Sequence, residues 1–144
     1  MQYRWNVKEE TRKGRPHGPY AVAAYTVAGR MRIMYMHKLI TGWPRTDHKN
    51  HNGLDNRREN LRPATHTQNQ QNTRPRVIVG TSRYKGVCWS KRERKWRAVI
   101  KFAGVQRHLG YFADEEDAAR AYDAAARKYH GEFACLNFPD DNAA

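Results

Sequence analysis

Near the start of the chain, β-forming and apolar residues form two short runs on either side of a turn. The runs cover 20–27 (YAVAAYTV) and 32–36 (RIMYM), and they flank Ala28-Gly29-Arg30. Two such runs around a glycine-containing turn are typical of a β-hairpin. The first part of the chain is therefore expected to open with antiparallel strands.

This pattern is lost between Asp47 and Asn72, where polar residues dominate. A short extended piece at 61–64 precedes Thr65, which is a candidate N-cap for a polar helix ending at Asn72. Such a helix has few apolar anchors of its own. Residues 73–81 contain a proline and a glycine and show no periodicity, so they are predicted to form a basic linker.

The second half of the chain shows three β-rich runs followed by one amphipathic pattern. The runs predict a three-stranded antiparallel meander over 84–89, 96–102 and 106–112. Asp114 is a suitable cap for a helix over 115–129 that Gly131 ends. The helix is expected to pack on the sheet through one face, which carries Ala118, Tyr122, Ala125, Ala126 and Tyr129.

Charge adds a functional expectation to this pattern. The 144 residues carry a formal net charge of +13, and 73–112 contains 11 basic side chains against one acidic. From 113 to 144 the balance reverses, with 8 acidic side chains against 3 basic. A cationic element beside an acidic one suits a module that faces phosphates on one side, although a solvated charged surface is the simpler alternative.

Several classes of protein lose support at this point. The two cysteines, Cys88 and Cys135, lie far apart with no Cys-x-x-Cys motif, so neither a disulfide framework nor a structural zinc site is indicated. No apolar run is long enough to span a membrane, and 1–15 lacks the apolar stretch of a signal peptide. We therefore expect a protein that is neither inserted in a membrane nor secreted.

The polar segment carries the most specific motif of the first half. Asp47-His48 is followed twelve residues later by Asn60-Leu61-Arg62, and Asn69 comes nine residues after Asn60. Together with the preceding 36–40 (MHKLI), this linked spacing resembles the phage and homing-type HNH endonucleases over about residues 3–72. The resemblance implies a ββα-metal nuclease domain and a phage-like or bacterial homing-type protein.

The resemblance also implies roles for individual residues. His48 would be the general base, Asn60 would tie the two strands together and hold the His48 segment, and Asp47 and Asn69 would bind a divalent ion. Phosphodiester hydrolysis needs a base and a hard cation, and Mg²⁺ suits oxygen ligands. The simpler alternatives are a surface histidine at His48 and a turn residue at Asp47.

Other polar residues near this motif are candidates for supporting roles. His51 and His66 are candidates for assisting the metal or a phosphate, or are polar residues of the loops. His37 has apolar neighbours and is interpreted as a core histidine. Phosphate contacts are expected from three arginines that flank the motif, Arg57, Arg58 and Arg62.

The second half resembles the plant Apetala-type and ethylene-response-factor DNA-binding domain. The resemblance covers 82–139 and rests on 84–87 (YKGV), 96–98 (WRA), 109–112 (LGYF), 118–125 (AARAYDAA) and 136–139 (LNFP). It implies a three-stranded sheet laid in the major groove with a helix behind it. On that geometry the candidates for DNA contact are Lys85, Trp89, Arg92, Arg97, Lys101 and Arg107.

Two positions depart from the plant pattern. Cys88 stands where the plant domains place an arginine, and Val99 stands at a position that is often acidic. Base preference therefore cannot be transferred from the family. Trp96 and Phe112 are interpreted as core residues because they occupy sheet positions that would meet the alanine face of the helix.

These observations predict an α+β protein with two domains. The expected organisation is an HNH nuclease domain at 1–72, a linker at 73–81, a DNA-binding domain at 82–139 and a tail at 140–144. The expected function is a Mg²⁺-dependent endonuclease, monomeric, acting on double-stranded DNA in a bacterial cytosol or nucleoid. The alternatives are a non-catalytic DNA-binding transcriptional regulator that kept the fold of a nuclease, and a basic RNA-binding accessory protein.

Overall fold

A computed structural model describes residues 4–12, 15–74 and 82–139. The chain is α+β, as predicted, and the strands described in it pair antiparallel. It divides into two compact units, Met1–Asn69 and Gln70–Ala144. The predicted tail and most of the predicted linker lie outside the described residues.

The first unit begins with a three-stranded sheet in the order β1-β2-β3. The strands are β1 (Asn6–Arg12), β2 (Arg15–Val27) and β3 (Arg30–Tyr35). The predicted hairpin is confirmed as β2 and β3, whose paired residues run from Val22 with Tyr35 to Val27 with Arg30. Ala28 and Gly29 both have positive φ, which suits the tight turn between twisted strands.

A helix and a second small sheet follow in the same unit. Helix α1 (Met36–Thr41) ends at Gly42, and the strands β4 (Thr46–His48) and β5 (Leu61–Pro63) pair antiparallel. Helix α2 (His66–Gln71) comes next, so the elements follow one another in ββα order. The predicted cap is confirmed: Thr65 Oγ1 accepts from Gln68 N at 3.2 Å, and Gln68 Oε1 accepts from Thr65 N at 2.7 Å.

The second unit is a three-stranded sheet with one helix packed on it. Strands β6 (Val87–Ser90), β7 (Lys95–Phe102) and β8 (Val105–Phe112) lie in the order β6-β7-β8, which confirms the predicted meander. Helix α3 (Glu115–His130) begins where predicted, and Asp114 accepts a hydrogen bond from Glu116 N at 2.7 Å. A short 3₁₀ turn (Gly131–Phe133) follows it.

The core of this unit lies between α3 and one side of the sheet. Ala98 and Ile100 of β7 are buried there, and Trp96 and Phe112 pack against the same core as predicted. The predicted helix face is confirmed, with its buried and partly buried side chains at Ala118, Tyr122, Ala125, Ala126 and Tyr129. Small alanines let the helix approach the sheet closely.

A buried polar group on α3 binds the last described residues of the second unit. The carboxylate of Asp123 on α3 is almost fully buried and accepts hydrogen bonds from the backbone N–H groups of Asn137 and Phe138, each at 2.8 Å. The side chain of Asn137 in turn accepts from Lys85 N at 2.7 Å and donates to Lys85 O at 3.2 Å. Satisfied in this way, a buried carboxylate fixes the structure around it.

Candidate nucleic-acid interface

The side of the β6–β8 sheet turned away from α3 is the first candidate site. Side chains alternate between the two sides of a strand, and Ala98 and Ile100 of β7 point toward the helix. Their neighbours on β7 therefore point the other way. We call this surface the open face, and it consists of Cys88, Ser90, Lys95, Arg97, Val99, Lys101, Gln106, His108 and Tyr111.

The open face is cationic. Strands β6, β7 and β8 contain no aspartate or glutamate, whereas β7 alone places Lys95, Arg97 and Lys101 on the open face. Without a carboxylate among them, these charges are not neutralised within the strands. Such a surface attracts the phosphates of a nucleic acid.

Arg97 lies at the centre of the open face. It pairs directly with Cys88 on β6 and with Tyr111 on β8. Hydrogen bonds to Cys88 and Tyr111 raise the pKa of the Arg97 guanidinium above its ordinary value. Its Nε atom is buried and has no hydrogen-bond partner among the described residues.

Two aromatic side chains stand beside this arginine. The rings of His108 and Tyr111 have centroids 4.6 Å apart, and both side chains are exposed. They reach the same side because β8 carries a bulge: Ala98 pairs with Gly110 but Val99 pairs with His108, which leaves Leu109 as an extra residue. Leu109 turns into the core.

Two predicted DNA contacts lie on the helix side of the sheet instead. Trp89 pairs with Trp96, and their ring centroids are 5.1 Å apart. Arg107 pairs with Ile100, and its guanidinium lies 5.5 Å from the ring centroid of Tyr129 on α3. Neither side chain shares the open face with Arg97 and Lys101.

The remaining two predicted DNA contacts in this unit, Lys85 and Arg92, lie outside the three strands of the sheet. Lys85 Nζ donates to the backbone oxygens of Gln71 at 2.5 Å and Thr73 at 2.7 Å, and burial lowers the pKa of Lys85. Arg92 lies in the exposed turn between β6 and β7, with its Nε 3.3 Å from a carboxylate oxygen of Glu93. Lys85 thus stabilises the chain leading into the module.

Of the nine residues of the open face, only Arg97 and Lys101 were predicted as DNA contacts, and those that were missed include Lys95, Gln106, His108 and Tyr111. Strict alternation along β7 was a sufficient signal for Lys95. Alternation from Phe112, a predicted core residue, was likewise a sufficient signal for Tyr111, whereas Gln106 and His108 depend on the phase of β8 beyond the bulge, which shifts it by one residue. No local pattern in the sequence marks that shift.

The second candidate site is the polar cluster around β4 and β5. Asp47 and Arg62 pair across the two strands, with Arg62 Nε 2.8 Å and Nη2 2.7 Å from Asp47 Oδ2. Their side chains are only 10% and 9% exposed. The buried Asp47 carboxylate and the Arg62 guanidinium are bound to each other, although Asp47 was predicted to bind a metal ion and Arg62 was predicted to contact phosphate.

His48 follows Asp47 on β4 and is also buried. Its Nε2 lies 3.3 Å from Asn56 Oδ1, and its ring centroid lies 5.2 Å from that of His37, which is buried as predicted. Desolvation lowers the pKa of His48, although the bond to Asn56 and the charge of Asp47 oppose the shift. Burial therefore favours the neutral form of the imidazole.

Asn60 fixes the loop between β4 and β5. Its Oδ1 accepts from Asn50 N at 3.0 Å, and its Nδ2 donates to Asp55 O at 2.7 Å. Its backbone oxygen accepts from Lys49 N at 2.9 Å. These bonds connect the beginning and the middle of the loop to the residue that precedes β5.

The other predicted residues of this cluster are spread over separate elements. Asn69 and His66 lie on α2, whereas His51 lies in the loop with a positive φ. Arg57 makes a bidentate pair with Asp55 at 2.8 Å, and Arg58 donates to Ile40 O at 3.1 Å. Within 4–12, 15–74 and 82–139, no three His, Cys, Asp or Glu side chains are grouped to hold a metal ion.

Comparison with known proteins identifies the second module. An AP2/ERF and B3 domain-containing protein of Oryza sativa subsp. japonica is 51% identical over 59 residues, which are 41% of this chain and 16% of that protein. An AP2-like ethylene-responsive transcription factor of Arabidopsis thaliana is 46% identical over 59 residues, 41% of this chain and 19% of its own. APETALA2-like protein 2 of Oryza sativa subsp. indica is 43% identical over 58 residues, 40% of this chain and 13% of its own.

About 41% of the chain is thus homologous to AP2/ERF DNA-binding domains. That length agrees with the 82–139 segment whose motifs resemble this family. The chain spans less than a fifth of the length of the relatives described here. No family model and no solved structure matches the chain.

These relatives overturn the predicted enzyme. They include proteins named as transcription factors, so the predictions of an endonuclease, of hydrolase activity and of a Mg²⁺ cofactor are wrong. The structure gives the physical reason at the metal site, because Asp47 is committed to Arg62 and the described residues form no metal-binding group. The relatives are plant proteins and give no support to a bacterial host.

The prediction about membranes can be compared with the helices. None of the helices in the described part of the chain combines the length and the apolar character needed to cross a bilayer.

Proposed function

We propose that this protein is a non-catalytic DNA-binding regulator of transcription, which lays the open face of its β6–β8 sheet on duplex DNA. The observation that supports this most directly is the open face itself. It is cationic, its strands contain no carboxylate, and it belongs to a module of the AP2/ERF type.

The dimensions of the sheet suit this role. Three strands spaced about 4.8 Å apart form a ribbon roughly 10 Å wide, and the major groove of B-DNA is about 12 Å wide. Side chains that project from one face of such a ribbon can reach both the base edges and the phosphates. Double-stranded DNA is therefore the proposed partner.

The acidic residues of the module support the same orientation. Glu115, Glu116 and Asp117 form the first turn of α3, and α3 packs on the side of the sheet opposite the open face. In the proposed complex they lie behind the sheet, where their repulsion from phosphates is weakest. They also stabilise α3 through the helix dipole.

For the first unit we propose a structural role in place of catalysis. Its elements β4, β5 and α2 follow one another in ββα order, and the polar groups at its centre bond to each other. Asp47 pairs with Arg62, and Asn60 holds the loop that contains Asn56, the partner of His48. The first unit then contributes a stable cationic body to the regulator.

The salt dependence of binding tests the proposal. Log affinity for a labelled mixed-sequence duplex should fall linearly with log salt, by about 0.9 per phosphate contacted. Lys101→Ala should flatten the slope by about 0.9 because it removes one cation from the open face. Fluorescence anisotropy across a salt series measures both quantities.

A basic residue on α3 provides the control. Arg120→Ala removes the same charge from the helix behind the sheet, and it should leave the slope unchanged. Equal flattening by Arg120→Ala and Lys101→Ala would show that the open face is not the DNA-binding surface.

A further inference from the structure

Strand β3 forms one edge of the sheet in the first unit. The sheet has the order β1-β2-β3, so β3 pairs with β2 and, among the described residues, with no other strand. Alternate backbone N–H and C=O groups of β3 therefore point outward from the sheet. Such a row of backbone groups is a template on which another extended chain can add a strand.

The two edges of this sheet differ in how they are protected. Edge strands are usually protected by prolines, bulges or charges. The edge at β1 has an irregular register between Glu9 and Thr11, and its charged residues have both signs. Strand β3 contains no proline and pairs with β2 in unbroken register along its length. It is thus a regular template of 6 residues, about 20 Å long.

One face of the sheet at β3 is apolar and exposed. Met31 and Ile33 share this face, and they are 73% and 46% exposed. Their partners on β2, Thr26 and Ala24, are exposed as well. This end of the face is therefore open to solvent.

The opposite face of β3 is cationic. It carries Arg30 and Arg32, both of them exposed. Strands β2 and β3 contain no aspartate or glutamate, and neither arginine forms a salt bridge with a described residue. Cationic and apolar side chains thus alternate along the edge, and the charges are not neutralised within the described part of the chain.

This alternation distinguishes between the possible occupants of the edge. Residues directly opposite each other in a sheet point to the same face. If β3 of a second copy were added, the two arginines of each copy would lie together on one face, and like charges across strands are destabilising. Phosphates would pair with the arginines but would leave Met31 and Ile33 exposed. A strand in which carboxylates alternate with apolar side chains matches both faces.

We propose that the β3 edge binds an extended segment of a partner protein in which acidic and apolar residues alternate, and that this segment adds a fourth strand to the sheet. Backbone hydrogen bonds to β3 supply the affinity, and the alternating side chains supply the selectivity. The inference goes beyond the proposed function, because it gives the first unit a protein partner and requires nothing of the open face.

The first test uses the full chain and a fluorescein-labelled synthetic peptide of about eight residues, in which glutamate and valine alternate. Fluorescence anisotropy should show saturable binding with a Kd below about 1 mM. Arg32→Glu should weaken it about 10-fold, because a like-charge pair replaces an opposite-charge pair. The matched control is Arg45→Glu, the same change at an exposed residue outside the hairpin, which should have little effect because salt screens distant charges. A peptide with lysine in place of glutamate should not bind the wild-type protein.

A second test uses the wild-type protein alone and asks whether the backbone of the peptide pairs with β3. The N–H groups of a strand point alternately to its two edges, so the glutamate nitrogens of the peptide lie on one edge and the valine nitrogens on the other. One peptide is methylated on its glutamate nitrogens and another on its valine nitrogens. Methylation of the edge that meets β3 should lower the affinity at least about 10-fold, whereas methylation of the outer edge should be tolerated.

Several results would overturn the proposal. They are no binding of the acidic peptide, equal binding of the glutamate and lysine peptides, equal binding of the two methylated peptides, or equal effects of Arg32→Glu and Arg45→Glu in variants that far-UV circular dichroism shows to be folded. Displacement of the peptide by a mixed-sequence DNA duplex would make the edge a nucleic-acid surface instead. A dimer that the peptide dissociates, detected by sedimentation velocity, would assign the edge to a second copy. None of these results concerns the open face, so they are distinct from a failure of the proposed function.

Discussion

At the scale of single residues, Gly86 shows how tightly the second module is built. It has a φ of +76°, and its carbonyl accepts a hydrogen bond from Val99 N at 2.8 Å, next to the bulge. A Cβ atom at this position would overlap the ring of Tyr122 and lie 2.7 Å from Val99 O. Tyr122 is buried in the core, so it has no room to withdraw.

We therefore predict that Gly86→Ala lowers the free energy of unfolding by at least about 2 kcal/mol, through steric overlap added to backbone strain. Gly104→Ala is the matched control. Gly104 has a nearly equal φ of +79°, but nothing lies within 4 Å of the added Cβ. This control should cost only about 1 kcal/mol, the strain of the left-handed conformation.

Urea unfolding followed by tryptophan fluorescence gives both values. Equal losses of unfolding free energy in Gly86→Ala and Gly104→Ala would mean that the overlap with Tyr122 adds nothing to the destabilisation.

Individual residues also show the limits of sequence analysis at the polar cluster. The pattern correctly predicted that His37 is buried, because its neighbours in sequence are apolar. It did not show that Asp47 faces Arg62, since that contact depends on the register of β4 with β5. A carboxylate that appears free to bind metal in the sequence is neutralised by a residue 15 positions away.

At the scale of elements, periodicity predicted most of the secondary structure. The hairpin, the meander and α3 follow from alternation, helical spacing and caps, which are local features. Strand β1 and the first residues of β2 were not predicted, because their sequence is charged and rich in turn formers. The bulge in β8 was not predicted either. Uninterrupted alternation would place Arg107 on the open face, whereas the bulge places it on the helix side of the sheet.

The N-terminus of α3 gives a prediction at this scale. Asp114→Ala removes the acceptor of the Glu116 N–H and should lower the free energy of unfolding by about 1 kcal/mol. Asp114→Ser, which keeps a capping oxygen, should restore most of the loss. Thermal denaturation of the two variants compares them directly, and equal destabilisation by both would show that the cap does not stabilise the helix.

At the scale of the whole molecule, the charge reversal along the chain was the most direct signal for the proposed nucleic-acid partner. It requires no contact to be known, and the structure places the acidic first turn of α3 behind the cationic sheet. The motif in the first unit was less reliable as a guide to function. It records residue types and spacing, and the function depends on which partners those residues have.

The enzyme question has a direct test in the intact chain. We predict no cleavage of supercoiled plasmid by the protein in Mg²⁺, measured as nicked and linear forms on a gel. A reaction with EDTA is the control for contaminating nuclease. Cleavage that needs Mg²⁺ and disappears in His48→Ala would contradict a non-catalytic regulator.

The contact between Asn137 and Lys85 has a consequence for how this module is used in longer chains. One amide side chain joins both backbone groups of Lys85 to a residue 52 positions later, so the module begins and ends at the same place. A unit with adjacent ends can be carried inside a larger polypeptide without separating the segments on either side. The two hydrogen bonds between Asn137 and Lys85 keep those ends together. In the relatives named above, the matching segment is only a small fraction of a much longer chain.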